Sequence, residues 1–311
     1  MRNQVSLPQR KYPAKLLFLG EYSVLSGSDA LALPFRRFSG VWVQGDDTLT
    51  GQEKVLEPFI KYLDKLFDSD DQEAFLDLTK MKRAFEEGWR LKSSIPVGVG
   101  LGSSGMLCAA VYDAFATKKN SEPGQTHRML QKMEAFFHGR SSGMDPLVSF
   151  LENPVLLQDK KTLIPKIHDT IENPPFFTGL LDSKIKRNTA ALVPLYRKKV
   201  NEPESELVLK NDYIPSVNRA ISAYLNHQPE NLWLELRQIS LFQYEFFEPM
   251  IPEGIRGIWQ RGMLDETYYL KLCGAGGGGY FYVFSKKEET VKELPNVTAI
   301  VEDLFISKTH Q

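Results

Sequence analysis

The chain is 311 residues long, which at roughly 150 residues per domain predicts about two domains. Hydrophobic residues at 42% and charged residues at 25% are globular values and exclude wholesale disorder. With 38 basic against 39 acidic residues, net charge −1, no basic excess advertises a nucleic-acid backbone or an anionic membrane as partner, so a small, specific ligand is the better starting point.

In chain order, residues 15–19 read as a buried strand that stops at Gly20, with residues 21–25 as its turn and continuation. Residues 53–67 place Val55, Leu56, Phe59, Ile60, Leu63 and Phe67 at spacings of three and four, an amphipathic helix. A glycine-rich stretch at 98–105 precedes a helix over 106–116 that is apolar almost all round. A further helix over 126–138 is closed by Gly139. Asn173-Pro174-Pro175 is the strongest punctuation in mid-chain and sets a domain boundary near 170, giving domains at 1–170 and 171–311. Beyond it come a strand over 177–181, helices around 215–226 and 230–246, and strands on either side of a glycine cluster at 274–279. Only two cysteines occur, Cys108 and Cys273, at no disulfide or metal spacing. No apolar run approaches the roughly 18 residues of a membrane span, and the expectation is a soluble cytoplasmic protein.

Three segments carry chemistry. The first runs from Pro96 through Gly98, Gly100, Leu101 and Gly102 to Ser103-Ser104-Gly105, directly before the buried helix. Small residues let backbone wrap an anion, the N–H groups of the helix start point at it, and two hydroxyls can donate to phosphate or ligate a metal. The competing reading is a glycine turn with Ser103 or Ser104 as a plain N-cap. The second is Glu134 followed by His138-Gly139-Arg140-Ser141-Ser142-Gly143-Met144-Asp145. An acid pointing along an apolar helix face needs a partner, for which Mg²⁺ is suitable, and Asp145 past a Ser-Gly turn can be aimed at a reacting hydroxyl. Against these stand a helix-rim glutamate and a turn aspartate. The third is Gly274-Ala275-Gly276-Gly277-Gly278-Gly279, five glycines in six positions between aromatic strands, more than a hairpin needs. Close approach of backbone to a ligand explains it, with a flexible loop as the alternative.

Together and in this order, these segments and the opening Pro13-Ala14-Lys15-Leu16-Leu17-Phe18-Leu19-Gly20-Glu21-Tyr22-Ser23-Val24-Leu25 resemble the GHMP kinases, the superfamily named after galactokinase, homoserine kinase, mevalonate kinase and phosphomevalonate kinase. Within it the pattern is most similar to the mevalonate kinase family. A metal-binding glutamate eleven residues before a catalytic aspartate, with His-Gly and Ser-Gly-x-Asp, is reproduced by Glu134, His138-Gly139, Ser142-Gly143 and Asp145. Residues 182–193, with Lys184, Arg187 and Thr189, resemble the family's Asn-Thr-Lys-x-x-Arg-Asn-Thr-x-x-Leu-Val segment. Four positions depart: Tyr22 for His, Gly105 for Ala, Pro146 for Asn and Cys273 for Thr, changes that bear on the acceptor more than on phosphoryl transfer.

The resemblance implies an α/β (α+β) fold with an N-terminal domain of the ribosomal-protein-S5-domain-2 type and a C-terminal ferredoxin-like domain, the active site in the cleft between them. It implies ATP and Mg²⁺ as cofactors, the 98–104 loop on the phosphates, and Ser103 or Ser104 with Glu134 on the metal. Asp145 would take the acceptor's proton, Lys15 would stabilise Asp145, and Glu21, Tyr22, Thr189 and the loop at Gly274, Ala275 and Gly276 would contact or shape the acceptor site. Mevalonate is the leading acceptor, because after Lys15 the opening motif is followed by no basic residue until Arg36 and Arg37, past Pro34. A phosphomevalonate or sugar kinase is the alternative within the superfamily. A nucleotide-binding regulatory module without catalysis is the alternative of another class, and the joint presence of Lys15, Glu134 and Asp145 argues against it. Partners implied are a small-molecule substrate, with neither nucleic acid nor membrane; a homodimer is left open.

Overall fold

The computed structural model describes residues 4–45, 53–67, 75–117, 123–159, 161–165, 175–187 and 191–300. The expected boundary near 170, and Thr189, lie outside the described residues. Strand pairing gives a five-stranded sheet of order β1-β2-β4-β5 with β3 added to β2, and a four-stranded sheet of order β7-β8-β6-β9. These strands are β1 (Tyr12–Leu19), β2 (Ala30–Gln44), β3 (Trp89–Ser93), β4 (Val155–Gln158), β5 (Lys161–Leu163), β6 (Phe177–Asp182), β7 (Tyr269–Leu272), β8 (Tyr280–Ser285) and β9 (Val297–Ile300). By contacts the chain forms two compact units, one of Met1–Lys15, Pro34–Pro96 and Gly102–Asn153, the other of Leu16–Leu33, Val97–Leu101 and Pro154–Gln311. Among the described residues no helix is long and apolar enough to cross a membrane.

In the first unit β3 pairs antiparallel with the end of β2, Trp42 opposite Leu91. The helix α3 (Ser103–Phe115) is buried on nearly every side, as its apolar sequence predicts, and packs against α4 (Pro123–His138) and α5 (Met144–Leu151). Its one acid, Asp113, accepts from the Tyr12 hydroxyl at 2.8 Å and lies 3.5 Å from Arg10, which satisfies an otherwise costly buried charge. The amphipathic α1 (Glu53–Phe67) sets Phe59 against Phe136 and Phe137 of α4, ring centroids 5.2 Å away in each case. Helix α4 ends where glycine takes over: Gly139, at φ 71°, donates its N–H to the Ala135 carbonyl. A short α2 (Leu78–Glu86) begins at Asp77, whose carboxylate caps the Lys80 N–H at 2.7 Å.

In the second unit β4 runs antiparallel to the start of β2. The four-stranded sheet follows the chain order β6, helices, β7, β8, α11 (Glu288–Glu293), β9, and its spatial order is that of a ferredoxin-like split βαβ arrangement. Between β6 and β7 lie α6 (Leu192–Val200), α7 (Pro203–Val208), a π-helical turn at Leu209–Tyr213, α8 (Ile214–Leu225), α9 (Pro229–Phe246) and α10 (Glu253–Leu264). Residues 21–25 do turn, but they continue as a 3-10 helix at Ser23–Ser26 instead of a strand.

Phe18 is fully buried in the second unit, its ring 5.4 Å from Tyr224, 5.9 Å from Tyr282 and 6.4 Å from Phe284. Phe18→Ala should therefore cost about 3–5 kcal/mol of stability in chemical denaturation, whereas Leu234→Ala, at a 57% exposed position of α9, should stay within about 0.5 kcal/mol.

Candidate active site

The first unit gathers the charged residues. Lys15, nearly buried on β1, places Nζ 2.9 Å from Oδ2 of Asp145, which stands in the first turn of α5. Gly102 closes over this pair at φ 74°, and a Cβ there would sit 2.8 Å from Lys15 Cγ and 3.5 Å from Asp145 Oδ2, so only glycine lets the loop come down. One turn further on, a Cβ at Gly105 would meet the Asp145 carbonyl carbon, the Asp145 Cβ and the Pro146 nitrogen, each at 2.8 Å. The departures at Gly105 and Pro146 thus meet at one contact: α3 presses onto the first turn of α5, where a proline needs no N–H.

The N-cap of α3 is Gly102, with no side-chain cap, and Ser103 and Ser104 occupy the first two helical positions. Their hydroxyls are not used up in capping the helix, and Ser104 Oγ hydrogen-bonds His138 Nε2 at 3.0 Å. Glu134, buried on α4, accepts a short hydrogen bond from Ser141, whose oxygen in turn accepts from the Gly143 N–H at 2.8 Å. Burial, with Asp145 adding, pushes the Glu134 carboxyl up to about 8, while the Ser141 bond and the Lys15 charge pull the other way. The 141–142 turn is tied to α4 by Gln131 on the Ser141 carbonyl and by His127 on the Ser142 carbonyl. Ser141, His127 and Gln131 escaped the sequence reading, although His127, Gln131, Glu134 and His138 form a polar stripe at spacings of four, three and four.

The residues present suit Mg²⁺. Glu134 and the two serine hydroxyls are hard oxygen donors, and a buried carboxyl that holds its proton to about pH 8 gains from a cation. Among the described residues no group of three or more His, Cys, Asp or Glu could hold an ion unaided. An ion there would take the rest of its shell from phosphate and water, as Mg²⁺ commonly does.

The second unit gathers the glycine loops. Pro96 is the half-buried last residue of the first unit's 34–96 segment, and Gly98, Gly100 and buried Leu101 follow in the second, both glycines at positive φ. A Cβ at Gly100 would lie 1.6 Å from Arg187 Nη1, and at Gly274 3.1 Å from the same atom. Arg187 thereby fills the space between the two loops and donates to the Cys273 carbonyl. Further along, Cβ atoms would lie 2.5 Å from Met250 O at Gly276, 2.6 Å from Ile185 O at Gly278 and 2.7 Å from Val99 O at Gly279. What these glycines approach is the chain's own backbone, which settles them as close-packed rather than slack.

Glu21 is 1% exposed and pairs with Lys271, which is fully buried, also donates to the Leu272 carbonyl at 2.8 Å and lies 4.7 Å above the Tyr282 ring. Burial pushes the Glu21 carboxyl up and the Lys271 ammonium down, and each charge opposes the shift of the other. Tyr22 stands at φ 61°, ψ −46°, in a three-residue turn closed by the Ser23 N–H on the Glu21 carbonyl at 2.6 Å. This is the rarer, strained hand of the γ-turn, which at a non-glycine residue costs on the order of 1–3 kcal/mol. The Tyr22 hydroxyl donates to the Ala275 carbonyl at 2.6 Å, and its ring lies 5.0 Å from Tyr196 and 5.3 Å from Phe247. Lys271 was also missed in the sequence; a lysine inside an apolar four-residue strand was the signal that a buried partner waits for it.

Residues 71–153 match the sequence profile of the family described as GHMP kinases N terminal domain. A mevalonate kinase of Dictyostelium discoideum is 22% identical over 95% of this chain and 92% of its own length. Among solved structures, an L. major mevalonate kinase in complex with R-mevalonate superposes with a TM-score of 0.63 at 16% identity, over 96% of each chain. A Streptococcus pneumoniae phosphomevalonate kinase in complex with phosphomevalonate and AMPPNP gives the same TM-score, 0.63, at 16% identity, over 98% of this chain and 99% of that one. In sequence, residues 71–153 are thus similar to the N-terminal domain of the GHMP kinases, and the fold is one that mevalonate and phosphomevalonate kinases share.

Proposed function

We propose that the chain is an ATP-dependent kinase that phosphorylates the hydroxyl of a small hydroxy acid, with mevalonate as the leading acceptor. The observation that carries this reading is the Lys15–Asp145 pair beneath Gly102 at the uncapped start of α3. Phosphoryl transfer asks a protein chiefly to position reactants and to neutralise charge. The first-turn amides of α3, with the loop from Gly98, offer N–H groups to phosphate oxygens, and the Ser103 and Ser104 hydroxyls add donors. Asp145, oriented by Lys15, accepts the proton of the acceptor hydroxyl as that oxygen attacks the γ-phosphorus of ATP and the bond to the departing ADP breaks. The Lys15 charge also favours the developing alkoxide. A Mg²⁺ held by Glu134 and by Ser103 or Ser104 would supply positive charge against the phosphates. Both cysteines are buried free thiols, which supports a reducing, cytoplasmic setting.

Mevalonate is favoured by the residue pattern around Glu134 and Asp145 and by the relatives named for that acceptor. Phosphomevalonate is the second reading. Tyr22 and the Gly105 after Ser103-Ser104 are more similar to phosphomevalonate kinases and favour it, and so does Lys186, which lies against Gly98. Lys184, in the same segment, is already tied to Asp182 at 3.0 Å. Purified enzyme assayed with ATP against mevalonate, phosphomevalonate and galactose should prefer mevalonate in kcat/KM. A preference of more than about tenfold for phosphomevalonate, about 1.4 kcal/mol of transition-state discrimination, would reverse the choice of acceptor.

Two variants test the roles. Asp145→Asn should lower kcat by about 10² or more and leave the KM for ATP near wild type, and a near-normal kcat would remove the assigned role. For Glu134, the raised carboxyl holds a proton below about pH 8 that a cation must displace. The Mg²⁺ concentration for half-maximal activity should therefore fall by roughly tenfold from pH 7 to pH 9, and in Glu134→Gln it should be higher and independent of pH. A Mg²⁺ titration identical in the two proteins would return Glu134 to a structural role.

A further inference from the structure

We propose that the buried Glu21–Lys271 ion pair positions the acceptor end of the site by clamping the Tyr22 turn to the third glycine loop. The proposal rests on the reading that Tyr22 faces the acceptor. It begins from the strain: a non-glycine residue at φ 61°, ψ −46° stays there only if its neighbours leave it no alternative. Two attachments do this, and both come from one short segment of chain. Lys271 of β7 holds the carboxylate of Glu21, and four residues later the Ala275 carbonyl takes the hydroxyl of Tyr22. Consecutive residues of the turn are thus pinned at two points to the strand and to the loop that leaves it.

That strand is itself fixed from behind. Gln243 of α9 accepts from the Leu272 N–H at 2.8 Å and donates to the Tyr213 hydroxyl at 2.7 Å, and Tyr213 is the last residue of the π-helical turn. Single turns of π-helix inside longer helices recur at functional sites. The Tyr22 ring is held in the same way, between Tyr196 and Phe247. Stability alone is a poor reason for the arrangement, because well-packed apolar residues in place of a buried ion pair are often neutral or stabilising. What the pair adds is a fixed distance between the exit of β1 at Gly20 and the loop at 274–279, both within the second unit. Lys271 touches no reactant in this account and is a positioning residue.

The test uses the full chain with Lys271→Met and with the double variant Glu21→Gln/Lys271→Met, in which no buried charge is left unpaired. In both, the KM for the acceptor should rise at least about tenfold while the KM for ATP stays within about twofold. The double variant should recover the thermal stability that Lys271→Met loses but not the acceptor KM. A structural role alone predicts the opposite, an acceptor KM restored along with stability, and that result would overturn the proposal. A second readout does not need activity. Amide hydrogen exchange in a peptide covering residues 20–26, which contains the Ser23 N–H of the turn, should be at least about tenfold faster in both variants. Exchange in a peptide from α8 should be unchanged. Wild-type protection over 20–26 in the double variant would overturn the clamp. If the wild-type protein transfers phosphate to no acceptor, the kinase reading fails by itself, and the exchange experiment still decides whether the pair holds the turn.

Discussion

The Lys15–Asp145 ion pair is the interaction around which the rest of the first unit is arranged. At 2.9 Å, with Lys15 nearly buried, it puts an anion and its counter-ion at the start of α3. Three sequence choices follow from the space this takes. Gly102 and Gly105 keep side chains out of the way of the pair and of the Asp145 backbone, and Pro146 fits in a first helical turn that has no use for its missing donor. The same charges also act on Glu134. Asp145 raises its carboxyl and Lys15 lowers it, but burial is the larger cause, so one lysine does not suffice for two carboxyl groups. A divalent cation beside Glu134 would complete the balance and would release the carboxyl proton as it bound.

The second unit is governed by close backbone approach. Its glycine loops touch one another and the 185–187 segment at distances that no Cβ would allow, with Arg187 filling the space between Gly100 and Gly274. The run of glycines at 274–279 therefore encodes packing first, and any ligand contact is made by a loop already held in place. A loop of this kind can fix a substrate without the ordering cost of a flexible one.

Much of this was legible in the sequence, and the boundary between what was and what was not has physical reasons. The α1 stripe, the glycine that ends α4 and the strands flanking the third loop are local patterns, and the structure has them at or within a few residues of where periodicity put them. The catalytic candidates were readable because the chemistry needs fixed residue types at short spacings. A turn at residues 21–25 was readable, but the strained γ-turn geometry at Tyr22 was not, since it is imposed by residues some 250 positions later. Lys271 was missed for the same reason, since its partner Glu21 lies 250 positions earlier. Ser141 could not be distinguished from an ordinary turn serine until the 141–142 turn was seen folded back on α4. Beneath Gly105 and Pro146, two departures that looked unrelated in sequence turn out to be a single packing contact.

The central claim is that Lys15 and Asp145 act as one unit in phosphoryl transfer. A double-mutant cycle on kcat measures this directly, with Lys15→Met, Asp145→Asn and the two combined, each checked for folding. If the pair works as a unit, the combined variant should be about as slow as the slower single variant, because the second substitution has little left to remove. Losses that multiply, so that the combined variant is slower by the product of the two single effects, would mean that the residues contribute independently and would contradict the account.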